Sequence, residues 1–467
     1  MRLRTRNKSR IIFSSFLIFF TVDLFHVIYS YYSLRYTSDG FHYFTFLRNF
    51  SQGIPYEGPT FGYLFAFHSY VTLILLIPLA YFSTPLFLAL LSNSAWWLSL
   101  ILLIQIGKMK FDGQWKFLFA LFFLFNPIFV RTRFGTSYMF QPDFLGPPLF
   151  LMYMYFLLRF RLRISLLFLC LGMLTKEEFP LWYGLLALLF LQMEVKDRIK
   201  KYKLQKQIVG IAIGSSAIHL VNLTFFSQIQ KDNLPSIFSR HFAMQNTIFL
   251  LIPFLVIIAV IYFVKCTKDS NRHTFFSHFW FLQFCGLFII ALFFCSNLFI
   301  YGHAAGQTWR NYAILIPSIA ILLLHFIDSK CLFQGRYFGF HNSEKKVIEF
   351  LVLFMIIVGS ILWEWQRNSE LQIRDYFQIR NLAATIPREL NDDAYFVVEP
   401  FFHAAVLDAR STNLVELPFN GSISHLIGNA SYLLIQERRL NAPSSNQLRD
   451  FFVFSRSTDF VLLTRKD

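Results

Sequence analysis

Charge is what this sequence is short of. Charged residues are 15% of its 467 positions and apolar residues 55%. Soluble domains carry about 25% charged residues, so the composition excludes an ordinary water-soluble globule and points to the bilayer as solvent. Cysteine is scarce as well. The five (Cys170, Cys266, Cys285, Cys295, Cys331) lie in or beside apolar runs without a CxxC spacing. That excludes both a disulfide framework and a thiolate zinc site. There is no P-loop, GxSxG or HExxH, so ATP-driven and serine-hydrolase readings lack a motif. No small-residue cleavage pattern follows the basic stretch Met1–Arg10, which makes the apolar run behind it an expected uncleaved anchor. No internal repeat is visible.

Apolar runs are what the chain has instead. They fall at about 11–33, 61–82, 86–107, 117–130, 144–158, 164–175, 180–194, 207–227, 247–264, 275–300, 311–327 and 347–363. Crossing a bilayer takes roughly 20 apolar residues, so the runs at 144–158, 164–175 and 180–194 are short. The net charge of +16 comes from 43 basic against 27 acidic residues. The basic residues sit in short clusters between the apolar runs, the pattern of orienting loops and not of a nucleic-acid surface.

Those clusters set a topology. They are Arg2–Arg10; Lys108, Lys110 and Lys116; Arg159, Arg161 and Arg163; Lys196–Lys206; Lys265, Lys268 and Arg272; and Lys330, Arg336, Lys345 and Lys346. All of them reach the cytoplasm if one run between Arg10 and Lys108 fails to cross. The run at 61–82, broken by His68 and Pro78, is the expected exception, lying on the outer face as surface helices. The expectation is an α-helical polytopic protein of about eleven spans, N-terminus inside and C-terminus outside. Asp39, His42, Glu57, Asp143, Lys176, Glu177, Glu178, Arg240, His241, His303 and Arg310 then all share the outer side.

Each of these has a bland reading beside a chemical one. Asp39, in Ser38-Asp39-Gly40, opens an expected helix through Phe50; it can be a base, a metal ligand or only an N-cap. Asp143 follows Gln141-Pro142, where it can cap the next helix. Thr175-Lys176-Glu177-Glu178 lies between short runs, so its charges are expected near or below the outer headgroups, where charge is costly. Asp23 and His26 sit one turn apart in the first run and read as a polar pair facing the bundle. Arg240 and Arg310 can stabilise a phosphate or merely touch headgroups.

After Trp363 the composition is that of a soluble segment. A helix through Leu371–Leu382, a strand Ala394–Val398, a short helix at Phe401–Leu407 and strands at Asn413–Leu417 and Asp459–Leu463 predict a small α/β unit over 364–467. At about 100 residues its own core is modest, so it is expected to lean on the membrane domain, 1–363.

The layout resembles the GT-C glycosyltransferases, of the protein mannosyltransferase and aminoarabinose transferase type. More closely it resembles a bacterial and archaeal family of predicted membrane proteins allied to them. The matching stretches are Asp39 through Phe50-Ser51-Gln52-Gly53; Phe67-His68 to Ile77-Pro78-Leu79; Gln141-Pro142-Asp143; Leu174-Thr175-Lys176-Glu177-Glu178; Arg310-Asn311-Tyr312 with Ile316-Pro317; and Ala404 to Pro418. The resemblance implies a GT-C-like bundle in the bacterial inner membrane that takes a sugar from a polyprenyl phosphate and passes it to an extracytoplasmic acceptor. It implies catalytic roles for Asp39, Asp143 and Glu178. It also implies substrate contacts at His42, His68, Lys176, Glu177, Arg240, His241, Arg310 and Tyr312, with Mg or Mn held by Asp39 and Asp143. The chain departs from the family pattern in having Gly40 after a lone Asp39, and Gln141 where histidine is expected. A lipid or solute transporter and a non-catalytic assembly or sensor protein remain the alternatives.

Overall fold

The structure, a computed structural model, describes residues 17, 20–36, 39–51, 71–81, 84–110, 139–176, 179–195, 197–230, 316–318, 320, 321, 324, 373–386, 395–398, 402–409, 414–416, 430–436 and 451–465. Of Asp39 and His42 it describes the backbone alone.

The described chain is mostly helical. Helix α1 covers 20–32 and α2 covers Asp39–Ser51. The run at 61–82, in its described part, is a 3-10 segment, Val71–Leu76, followed by the short α3, Ile77–Tyr81. The change of helix type falls beside Pro78, whose ring cannot continue a regular helix. Helix α4, Leu86–Lys110, has 25 residues, about 37 Å at 1.5 Å per residue. Among the described residues it is the helix long and apolar enough to cross a membrane.

A 3-10 turn at Pro142–Leu145 leads into α5, Gly146–Leu158, which folds back as α6, Leu162–Met173. These have 13 and 12 residues, about 20 and 18 Å, well under a hydrocarbon core of roughly 30 Å. Helix α7, Phe179–Glu194, returns, and α8 runs from Arg198 to Gln230. Here the structure corrects the sequence reading, which left Lys196–Lys206 as a loop. Asp197 Oδ1 accepts the backbone N–H groups of Ile199 and Lys200 at 3.0 and 3.2 Å. With that cap, residues of good helix propensity carry the helix straight through the basic cluster.

Among the described residues, two helices end on a bulky residue in the left-handed region. Leu34 has φ 55° and Phe160 φ 57°. After α1, Arg35 N–H bonds Ser30 O at 3.0 Å and Leu34 N–H bonds Tyr31 O at 3.2 Å. After α5, Arg161 N–H bonds Phe156 O at 3.0 Å and Phe160 N–H bonds Leu157 O at 2.9 Å. Both are Schellman closures with leucine or phenylalanine where glycine is usual.

The C-terminal unit holds α9 (Ile373–Ala384), β1 (Tyr395–Val398), α10 (His403–Ala409), β2 (Leu414–Glu416), β3 (Ala430–Gln436), β4 (Phe451–Arg456) and β5 (Phe460–Arg465). The sheet order is β2-β1-β3-β5-β4. β1 is parallel to β2 and β3, whereas β5 is antiparallel to β3 and β4. The sequence reading found β1, β2 and β5 and missed β3 and β4. β3 buries Tyr432, Leu433, Leu434 and Ile435 together, so it lacks the alternation that marks a half-buried strand.

Two cores result. One joins the later turns of α4 to α5, α6, α7, the start of α8, and Ile316, Ala320, Ile321 and Leu324. The other fuses α1, α2 and the first turns of α4 with α9, α10 and the sheet. The C-terminal unit therefore shares its apolar interior with the first two helices.

Candidate functional site

Helix α2 starts at Asp39 and is seated by the residue after it. A Cβ on Gly40 would lie 2.9 Å from Met139 Cβ and 3.0 Å from Phe140 N. Only glycine lets the two backbones approach this closely. Asp39 is thereby set beside the segment that enters Gln141-Pro142-Asp143. One turn further along α2, the Tyr43 hydroxyl donates to Gln141 Oε1 at 3.1 Å, and its ring meets Phe140 edge-on at 5.9 Å.

Asp143 makes no cap. Gln141 occupies the N-cap position of the Pro142–Leu145 turn, which has no side-chain capping bond. The Asp143 carboxylate turns instead to Lys176, whose Nζ donates to Oδ2 at 3.0 Å, both side chains being 1% exposed. Among the described residues, Asp143 Oδ1 has no hydrogen-bond partner. The Lys176 turn is fastened on the other side by Thr72 of the 3-10 segment. Thr72 N–H bonds Leu174 O at 3.3 Å, its hydroxyl donates to Leu171 O at 3.0 Å, and it lies 3.2 Å from the Thr175 hydroxyl. The Phe179 N–H donates to Lys176 O at 3.1 Å, closing the turn into α7.

One end of the bundle thus gathers the start of α2, the 139–143 segment, the Val71–Leu76 segment and the Lys176 turn. Among the candidates read from sequence, Asp143 and Lys176 pair directly, and the backbone of Asp39 lies at the same end, next to Gly40 where it packs on Met139 and Phe140. His68, Glu177, Glu178, Arg240, His241, Arg310 and Tyr312 lie outside the described residues. Asp23 accepts the Trp97 indole N–H at 2.7 Å, and His26 lies 3.4 Å from the Ser30 hydroxyl, so the first run's polar groups are taken up within the bundle. No group of three or more His, Cys, Asp or Glu side chains able to hold a metal gathers among the described residues.

The opposite end is marked by charge. Lys110, on the last turn of α4, pairs with Glu194, on the last turn of α7, at 2.5 Å. The Arg159–Arg161 turn between α5 and α6 and the capped start of α8 belong to this end as well.

A further cluster went unread in the sequence. The Tyr31 hydroxyl donates to Asp408 Oδ1 at 3.0 Å, and the Tyr376 hydroxyl donates to Asp408 Oδ2. Burial pushes the Asp408 carboxyl above the usual carboxylate range, opposed by the two tyrosine hydrogen bonds and by Arg380. Burial, and then the bond to Asp408, push the Tyr376 hydroxyl up as well. Beside them the His403 ring stacks on Phe41, centroids 5.8 Å apart and planes 13° from parallel. Tyr31 and Asp408 are separated by 377 positions, beyond any local signal.

No family model and no curated protein sequence matches the chain. Among solved structures, the crystal structure of ArnT from Cupriavidus metallidurans bound to undecaprenyl phosphate aligns over 96% of this chain and 98% of that one, at 10% sequence identity and a TM-score of 0.43. Identity that low leaves substrate and residue roles to be read from the chain itself.

Proposed function

We propose that the chain is a membrane glycosyltransferase that moves a sugar from a polyprenyl-phosphate donor to an acceptor hydroxyl outside the cytoplasm. The observation that carries this reading is that the start of α2, packed through Gly40 on Met139 and Phe140, sits at the same end of the bundle as the buried Asp143–Lys176 pair. A buried pair costs desolvation of both ions, and charge held inside a membrane bundle marks a functional-site candidate. The reading of the two ends by charge supports it: the Lys110–Glu194 end faces the cytoplasm, and the Asp39 end and the 364–467 unit face outward. The rest of the layout is the proposed one of about eleven spans in a bacterial inner membrane.

In this mechanism Asp39 takes the acceptor hydroxyl proton as its oxygen bonds the anomeric carbon. The carbon–oxygen bond to phosphate breaks, and its electron pair leaves on the polyprenyl phosphate. Lys176 holds Asp143 and, through it, the floor on which Gln141 meets Tyr43. Arg240 and Arg310 are the proposed partners of the departing phosphate, and Glu178 helps to position the acceptor. His42, His68, Glu177, His241 and Tyr312 complete the proposed substrate contacts. Asp39 and Asp143 are the ligands a Mg or Mn ion would need. Asp143 is already neutralised by an ammonium 3.0 Å away and fits a dication poorly, so no step is routed through a metal.

The test is transfer by the full-length protein in lipid nanodiscs, supplied with polyprenyl-phosphate sugars and scored by release of polyprenyl phosphate. Asp39→Asn is expected to lower the rate by about a hundredfold or more, within the range of general-base loss. Equal rates for Asp39→Asn and the parent would sink the assignment of Asp39. Movement of lipid or solute across the bilayer with no transfer product would replace the enzyme reading by a transporter.

A further inference from the structure

Helix α10 holds the segment that carries Asp39 at both of its ends. Upstream, Asp408 takes the Tyr31 hydroxyl at 3.0 Å. Downstream, the His403 ring lies flat on Phe41, the second residue after Asp39. Between these contacts fall the left-handed turn at Leu34 and the start of α2. The contacts are interior ones: Tyr31 is 0% exposed, and Phe41 and His403 are each 1% exposed. Tyr376 of α9 reinforces the upstream contact, donating to the other Asp408 oxygen and meeting Tyr32 edge-on at 4.9 Å.

A segment fixed at both ends loses most of the conformations open to a free loop, and ordering each backbone residue costs about 1–2 kcal/mol. That cost is met here by contacts from α10 and α9, not by the membrane helices alone. Acid–base chemistry needs its carboxylate placed to within about 0.5 Å. We infer that His403 and Asp408 are positioning residues for Asp39, which makes the C-terminal unit part of the site and not an appendage. The inference rests on the reading of Asp39 as general base.

The experiment uses the full-length chain in nanodiscs, with two readouts. In the first, Asp39→Cys is labelled with a membrane-impermeant maleimide, and the same protein with Asp39 retained gives the background from the native cysteines. Adding His403→Ala or Asp408→Leu should change the labelling rate at least fivefold. His403→Phe, which keeps a ring on Phe41, should leave it within twofold. In the second, with Asp39 intact, His403→Ala should lower kcat at least tenfold with KM within threefold, and His403→Phe should restore kcat. Where Asp408→Leu fails to fold, Asp408→Asn keeps an acceptor for the tyrosines and should fall between it and the parent. Labelling and kcat both within twofold of the parent for His403→Ala would overturn the inference. So would a kcat loss that His403→Phe does not repair. If the parent itself transfers no sugar, the proposed function has failed, and the labelling readout alone decides the positioning role.

Discussion

Lys176 and Asp143 meet at 3.0 Å in an interior that leaves each side chain 1% exposed, joining the turn before α7 to the turn before α5. Neither charge has water to fall back on. Lys176→Met should therefore lower stability by about 3–5 kcal/mol, the usual cost of stranding one buried charge. The double variant Lys176→Met with Asp143→Leu should recover most of that loss. Chemical unfolding of the detergent-solubilised protein measures both, and a double variant no more stable than the single one would contradict the pairing.

Gly40 gives a steric prediction. Its missing Cβ would collide with Met139 Cβ and the Phe140 backbone, neither of which can move without shifting the 139–143 segment. Gly40→Ala should lower stability by about 1–3 kcal/mol, the range for overpacking, and should slow transfer with it. Unfolding midpoints and transfer rates of the variant against its parent decide this.

The two left-handed residues should respond in opposite ways. A bulky residue there costs about 1–2 kcal/mol. Phe160 is 81% exposed and gives up little packing, so Phe160→Gly should raise stability by about 1 kcal/mol. Leu34 is 1% exposed, and losing a buried leucine side chain costs about 1.5–3 kcal/mol before any cavity forms. Leu34→Gly should be destabilising on balance. Thermal midpoints that move in the same direction for both would be the contrary result.

Stability should fall as pH rises. The Asp408 carboxyl is raised in the folded state, so its contribution is full below the ordinary carboxylate value and is lost as pH climbs through the folded one. The Tyr376 hydroxyl, raised too, adds a second loss above its ordinary pKa of about 10. The unfolding temperature of the full-length protein should drop as pH climbs from about 4 and drop again above about pH 10, and Asp408→Asn should flatten the acid part of that slope.

The Lys110–Glu194 contact fixes which helix ends share a side. Reporter fusions ending at Lys110 and at Glu194 should both read cytoplasmic, and fusions ending at Gly40 and Asp467 should read external. Opposite readings from the first pair would mean that the contact does not form in the membrane.

Local features were legible in the sequence because they depend on neighbours along the chain. The start of α2 falls at the Ser38-Asp39-Gly40 stretch, the break beside Pro78 follows from proline, and the strands at Tyr395–Val398 and Phe460–Arg465 from short runs of aromatic and β-branched residues. Pairings between distant residues were not. Asp143 carries the signature of a cap, yet its carboxylate is claimed by a lysine 33 positions away. Asp408 sits in a short helix whose pattern gives no hint of Tyr31. β3 shares with β5 a run of four successive buried apolar residues, a pattern that by itself does not tell strand from helix.

The backbone closure at Leu34 has a mechanical side. Its two hydrogen bonds come from α1 itself, so the chain leaves that helix at an angle set by the helix and not by the lipid around it. Helix and exit then move as one elbow. Where α1 crosses a bilayer, a change of tilt carries the exit at Leu34 and Arg35 with it, while α10 holds both Tyr31 of α1 and Phe41 of α2. Membrane thickness, which helices answer by tilting, therefore bears on the angle of this exit as well as on α1.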